Sequence, residues 1–288
     1  MKRKLLDSPR LVELKKKRLK IFLNKIFLSL IALLVIFASL AYISRLKQLN
    51  INEVEIIGNK TEDKEMIEAT VKKEITGNYL WFFPKANIFF YPKDNIKKDL
   101  FNQFNRLKSI SLYLKNKVLK VSLTERAALY TWCGDTMNLV VGLPNGDSTT
   151  KEKCYFIDEA GYIFDEAPYF SGDVYFKFYG LANLGTYFSK ENFRQLIYFK
   201  DTLLRIGLKP VSLYVLDNGD IKVFLSDLNK APIGPYIALK ASSNFQKAAE
   251  NLEIALSAEP LQSNFKNKYS SLLYIDLRFG NKVYYKFK

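Results

Sequence analysis

The feature that most constrains this chain is an unbroken apolar run, residues 26 to 44 (IFLSLIALLVIFASLAYIS), 19 residues without a charge. At about 1.5 Å rise per residue, such a helix spans roughly 28 Å, close to the ~30 Å hydrocarbon core of a bilayer. Leu19, Ile21, Phe22 and Leu23 can lengthen it, with Lys25 snorkelling to the interface. Tyr42 falls near the outer boundary, where aromatic rings are favoured. Ser39-Leu40-Ala41 resembles a signal cleavage site, but the run exceeds the roughly 7–15 residues usual for a signal peptide. The expectation is an uncleaved transmembrane helix.

Charge sets its direction. The formal charge is +15, but nine Lys/Arg against Asp7 and Glu13 lie within the first 20 residues. The 244 residues from Arg45 onward carry 34 basic and 27 acidic side chains, thinly spread. A basic cluster ahead of an apolar run keeps the N-terminus in the cytoplasm and meets anionic lipid headgroups. Nucleic acid is not an expected partner, because the first 20 residues offer no aromatic ring to stack on a base and no binding fold is recognisable. The reading is a cytoplasmic tail at 1–25, a membrane span at 26–44, and the bulk of the chain outside the cytoplasm.

The sequence contains no histidine. That removes Ser-His-Asp and Cys-His catalysis and every histidine-containing metal site, and two cysteines cannot make a four-thiolate zinc site. No Gly-rich phosphate loop or nucleophile elbow is present. Asp158, Asp165 and Glu166 sit near a turn and read as turn formers rather than paired catalytic carboxylates. Neither an enzyme nor a cofactor is expected.

Beyond the anchor, Val54 and Ile56 alternate with Glu53 and Glu55 as in a half-buried strand that ends at Gly58-Asn59. Thr61 can cap a helix with Ile67, Val71 and Ile75 on its inner face, and Asp94 a second with Ile96, Leu100, Phe104 and Leu107. Ile110, Leu112 and Leu114, a turn at Asn116, then Leu119, Val121 and Leu123 make a hairpin. The order is β-α-α-β-β. From Leu139 the pattern is β-rich, with helices expected at 189–206 and 243–257. Strands are expected at 155–158, 162–164, 211–216, 221–225, 272–279 and 282–287.

This arrangement resembles the FtsQ/DivIB family of bacterial cell-division proteins. The resemblance rests on the strand ending in Gly58-Asn59, on Gly77-Asn78-Tyr79-Leu80, and on the strand closing in Glu125-Arg126 followed by Trp132. It rests also on Asp158-Glu159-Ala160-Gly161-Tyr162-Ile163-Phe164 and on Asp276-Leu277-Arg278-Phe279-Gly280-Asn281. The proline usual before the family's third strand of this unit is missing, and the segment between Cys133 and Cys154 is longer than the family's connection. The resemblance implies an α+β chain, with a POTRA domain at 45–126 and a β domain with two helices at 127–288. It implies a non-enzymatic scaffold at the septum that binds small bitopic partners, FtsB- and FtsL-like, and other divisome proteins. Two rivals are a POTRA-bearing secretion or assembly protein, which should carry further repeats or a β-barrel, and a membrane-anchored enzyme.

Three sets of residues stand out. Phe279, Gly280, Tyr284, Tyr285 and Phe287, in the last hairpin, match the place where the family's partner adds a strand; the plainer reading is a sheet edge guarded by its lysines. In the alternation Leu273, Ile275, Leu277 and Phe279 share one face, and Lys282, Tyr284, Lys286 and Lys288 share another. Cys133 and Cys154 flank a polar loop as a disulfide or as free thiols. Glu125 and Arg126 are either a surface ion pair or, through the resemblance, a hinge between domains.

Overall fold

In the computed structural model the first helix, α1 (Pro9–Ser44), is 36 residues long. It begins inside the basic tail, so the apolar run is the outer part of a longer helix. The stretch Glu13–Ser44 is long and apolar enough to cross a membrane. The structure describes residues 9–137, 152–170, 174–226 and 234–288. They fall into two units, Met1–Glu125 and Arg126–Lys288.

In the first unit α1 is followed by β1 (Glu53–Ile57), α2 (Lys64–Ile75), β2 (Asn78–Tyr79), β3 (Phe83–Pro84), α3 (Lys93–Gln103), β4 (Leu107–Lys115) and β5 (Val118–Glu125). Strand β5 lies centrally, parallel to β1 and antiparallel to β4. The β-α-α-β-β order is therefore present, with the small β2–β3 hairpin added between the helices. The alternating residues Leu119, Val121 and Leu123 of β5 meet Ile67 and Val71 of α2 and Ile96 and Leu100 of α3 in one core. Gly58 has φ +92°, and a Cβ there would lie 2.3 Å from the Leu123 carbonyl oxygen, so the strand end accepts only glycine.

The helix caps differ from expectation. Asp63, not Thr61, caps α2, its carboxylate accepting from the Glu65 N–H at 2.7 Å. The Thr61 N–H is engaged by Glu125 instead. Helix α3 starts directly after Pro92, with Asp94 inside its first turn.

The second unit contains β6 (Tyr130–Trp132), β7 (Cys154–Ile157), β8 (Ile163–Ala167), β9 (Lys177–Tyr179), α4 (Phe193–Arg205), β10 (Pro210–Val215), β11 (Asp220–Leu225), β12 (Tyr236–Lys240), α5 (Phe245–Ser257), α6 (Leu261–Lys268), β13 (Leu272–Phe279) and β14 (Lys282–Phe287). Among the described residues all its strands join one sheet in the order β14-β13-β12-β11-β10-β9-β6-β7-β8. The parallel pairs β9–β10 and β12–β13 are each bridged by helices, as parallel neighbours require. Helices α4 and α5 cover the face that carries Ile221, Val223, Ile237 and Ile275.

Among the described residues three α-helices occur here rather than the expected two. Helix α6 fully buries only Leu261, too little to leave a periodic stripe. Strand β12 escapes the alternation rule because Ile237, Ala238 and Leu239 are all buried. Helix α4 starts at Phe193, because Ser189 takes a left-handed φ of +45° and cannot open it.

A candidate partner-binding edge

Strand β14 is the outermost strand of the nine-stranded sheet, so among the described residues its outer backbone edge has no strand neighbour. At the opposite end β8 is covered at its first residue by the segment at 185–186, through Ile163 N–H to the Thr186 carbonyl and Gly185 N–H to the Ile163 carbonyl, both 2.9 Å. The free edge of β14 is where an added strand would find unmatched N–H and C=O groups.

The four aromatic candidates split into two pairs, and Gly280 stands apart in the turn. Phe279 and Tyr284 are exposed, at 57% and 48%, and their rings meet edge to face at 5.4 Å. Tyr285 and Phe287 turn the other way and pack against the core. Gly280 has φ +68° in the hairpin turn, and its carbonyl accepts from Asn251 of α5 at 3.4 Å. The alternation in the sequence puts Phe279 with Ile275 and Leu277. The structure moves it to the Tyr284 face, because the β13–β14 register shifts between Asp276 and Phe279 and pairs Phe279 with Lys282. A bulge adds one residue to a strand and reverses the side chains beyond it.

Behind this edge the open face of the sheet carries an aromatic row. Phe224 pairs with Tyr236 and Tyr236 with Tyr274 across three strands, and Tyr236 and Tyr274 stack at 5.9 Å. The adjacent row ends on Tyr284 and holds Asp276, one member of a charged clamp. Arg278 grips Asp276 with Nε and an η nitrogen at 3.0 and 2.7 Å, and reaches Asp220 of β11 with the other η nitrogen at 2.5 Å. Burial pushes the Asp276 carboxyl up, but the hydrogen bonds from Arg278 outweigh it and hold the group below its ordinary value. The same bonds push the Arg278 guanidinium further up. The clamp ties β13 to β11 across β12 and stiffens the sheet next to its edge. Tyr274, Asp276 and Arg278 share a face in the sequence alternation. Asp220 and Tyr236 give no such signal, because only the sheet order brings them alongside.

Cys133 and Cys154 are bonded in the structure, with Cα atoms 4.1 Å apart. They flank the Trp132–Tyr155 pair, Cys133 directly after the end of β6 and Cys154 at the start of β7. The polar loop they flank lies largely outside the described residues. Glu125 and Arg126 do not pair with each other. In the first unit the Glu125 carboxylate accepts the backbone N–H groups of Lys60, Thr61 and Glu62 at 2.6 to 3.1 Å. In the second unit Arg126 binds the fully buried Asp158 at 2.5 Å and stacks over Tyr162 at 3.8 Å. Asp158 also accepts from the Ala160 and Tyr162 N–H groups, each at 2.9 Å, so it holds a turn together. Each member of the dipeptide is a fastener within its own unit, and the unit boundary runs between them.

The sequence matches no known protein-family model and no curated protein.

Proposed function

We propose that this chain is a single-pass scaffold of the bacterial division machinery, of the FtsQ/DivIB type. It would sit in the cytoplasmic membrane, with its N-terminus in the cytoplasm and its two folded units outside, and act at the septum. The first unit is then a POTRA domain. The second binds small bitopic partners, FtsB- and FtsL-like, by adding their strand to β14. The observation that carries this reading is the unpaired edge of β14 bearing the exposed Phe279–Tyr284 pair, in a chain whose N-terminal helix is fit to span a bilayer. Main-chain pairing supplies affinity, and the two rings supply register. The basic tail supports the orientation by its attraction to anionic lipid headgroups.

The test is the position of a fluorescent fusion of the full chain in dividing cells. A band at the division site supports the proposal, and an even envelope distribution overturns it. Co-purification with small bitopic partners should be lost in Phe279→Ala/Tyr284→Ala. Tyr285 and Phe287 are unsuitable for this purpose, because truncating them disturbs the core.

A further inference from the structure

The outer end of α1 does not stand clear of the first unit. Phe37 lies seven residues before Ser44, roughly 10 Å back along the helix axis at 1.5 Å per residue. The rings of Phe82 and Phe83 meet it edge to face at 5.7 and 5.3 Å. The β2–β3 hairpin therefore reaches back alongside the anchor, past the point where the chain leaves it.

That hairpin is built for an apolar setting. Residues 77–93 contain no acidic side chain and seven aromatic ones. At its tip Leu80 and Trp81 take left-handed φ values of +46° and +67° and are 77% and 86% exposed. A neighbouring turn exposes Phe89 and Phe90, at 71% and 61%. Left-handed backbone at two bulky residues is disfavoured and persists only where the surroundings hold it. Here they hold two large apolar side chains outward. Several of the hairpin's backbone groups are satisfied from within: Arg45 donates to the Trp81 and Phe82 carbonyls at 3.2 Å each, and Lys85 N–H donates to the Gly77 carbonyl at 2.9 Å. Between hairpin and helix lies an open apolar groove of about 750 Å³, lined by Phe37, Leu40, Ile43, Phe83, Phe89 and Phe90.

We propose that this aromatic shoulder is immersed in the outer leaflet, with phospholipid acyl chains filling the groove. The inference rests on the reading of α1 as a membrane span. Phe37 belongs to the apolar run, so a bilayer that covers the run also covers whatever touches Phe37. An apolar surface continuous with a lipid-facing helix favours lipid contact, and the Trp81 and Phe82 carbonyls at the hairpin tip are already taken up by Arg45. Trp81 and Tyr79 supply the amphipathic rings favoured at headgroup level. The first unit is then held to the bilayer by its own surface as well as by its tether.

The test uses the full chain reconstituted in phosphatidylcholine/phosphatidylglycerol vesicles with brominated acyl chains. The Trp81 emission is the difference between the protein and its Trp81→Phe variant, which removes the contribution of Trp132. A Leu34→Trp substitution in the Trp81→Phe background reports on the middle of the helix. The expected result is loss of most Trp81 emission to bromine, a blue-shifted maximum, and protection from aqueous iodide. Quenching of Leu34→Trp with Trp81 open to iodide and untouched by bromine overturns the proposal and leaves the anchor intact. Shielding of Trp81 from both quenchers puts protein over the shoulder, such as a neighbour's transmembrane helix, and also overturns it. If neither tryptophan is quenched by bromine, the anchor reading fails and the shoulder fails with it.

Discussion

Replacing Glu125 with glutamine should loosen the first unit by an amount that disappears in acid. Four N–H···O contacts, from 2.6 to 3.1 Å, converge on this one carboxylate from Lys60, Thr61 and Glu62. Hydrogen bonds to a charged acceptor contribute about 1.5–3 kcal/mol net, and the lower end applies here because water reaches part of the group. Glutamine keeps one oxygen as a neutral acceptor, so the expected loss is about 1.5 kcal/mol, or roughly a tenfold faster opening. Burial pushes the Glu125 carboxyl up, but the amides of Lys60, Glu62 and Thr61 outweigh it, and the folded group titrates below its ordinary value. A group lowered on folding contributes fully above its unfolded pKa of about 4.3, and the contribution fades as pH falls through the folded value. Hydrogen exchange of peptides covering α2 and β5 measures this, with variant and wild type compared at the same pH so that intrinsic rates cancel. The gap should be tenfold at neutral pH and should close in acid. Equal exchange at neutral pH, or a gap that persists unchanged into acid, would refute the reasoning.

Arg278→Leu should destabilise the second unit by about 2–3 kcal/mol, because it strands the buried Asp276 carboxylate, and adding Asp276→Asn should recover part of the loss in thermal melts. Gly58→Ala should lower stability by about 3 kcal/mol in urea titrations, since its Cβ would meet the Leu123 carbonyl oxygen at 2.3 Å. Gly77→Ala has the same φ of +92° but open space around it, and should lose only about 1 kcal/mol. Replacing Cys133 and Cys154 together by serine should lower stability by about 3 kcal/mol, and a reductant should reproduce the shift in wild type and leave the variant unchanged.

Where one face of an element is buried and the other wet, the sequence reads directly. The stripes of α2 and α3 and the alternation of β4 and β5 are visible for that reason, and so is Gly58, which stands where a strand must turn against a neighbour's backbone. Reading fails where burial is two-sided, as at β12, or where elements are too short to show a period, as at β6 and β9. At the candidate edge the hairpin is legible from alternation and a Gly-Asn turn. The bulge that moves Phe279 to the Tyr284 face is not, because a register shift leaves no mark on composition. The partners of Arg278 are legible only in part: Asp276 is two residues away, but Asp220 is 58 residues distant and reaches it through the sheet.

The end of α1 is held firmly. The Asn87 side chain, 1% exposed, donates to the Ser44 carbonyl at 3.1 Å, and Asn50 donates to the same oxygen at 3.1 Å and to the Leu46 carbonyl at 2.7 Å. The chain then pairs at once with the segment beyond β3, through Ile51 N–H to the Ala86 carbonyl and Ile88 N–H to the Leu49 carbonyl. No slack separates rod from load, so the helix works as a drive shaft. Each residue inserted upstream of Ser44 would turn the attached β-α-α-β-β unit by about 100° about the helix axis relative to the basic tail. Whatever fixes the azimuth of the helix among its neighbours thereby chooses the compass bearing of the β4 edge.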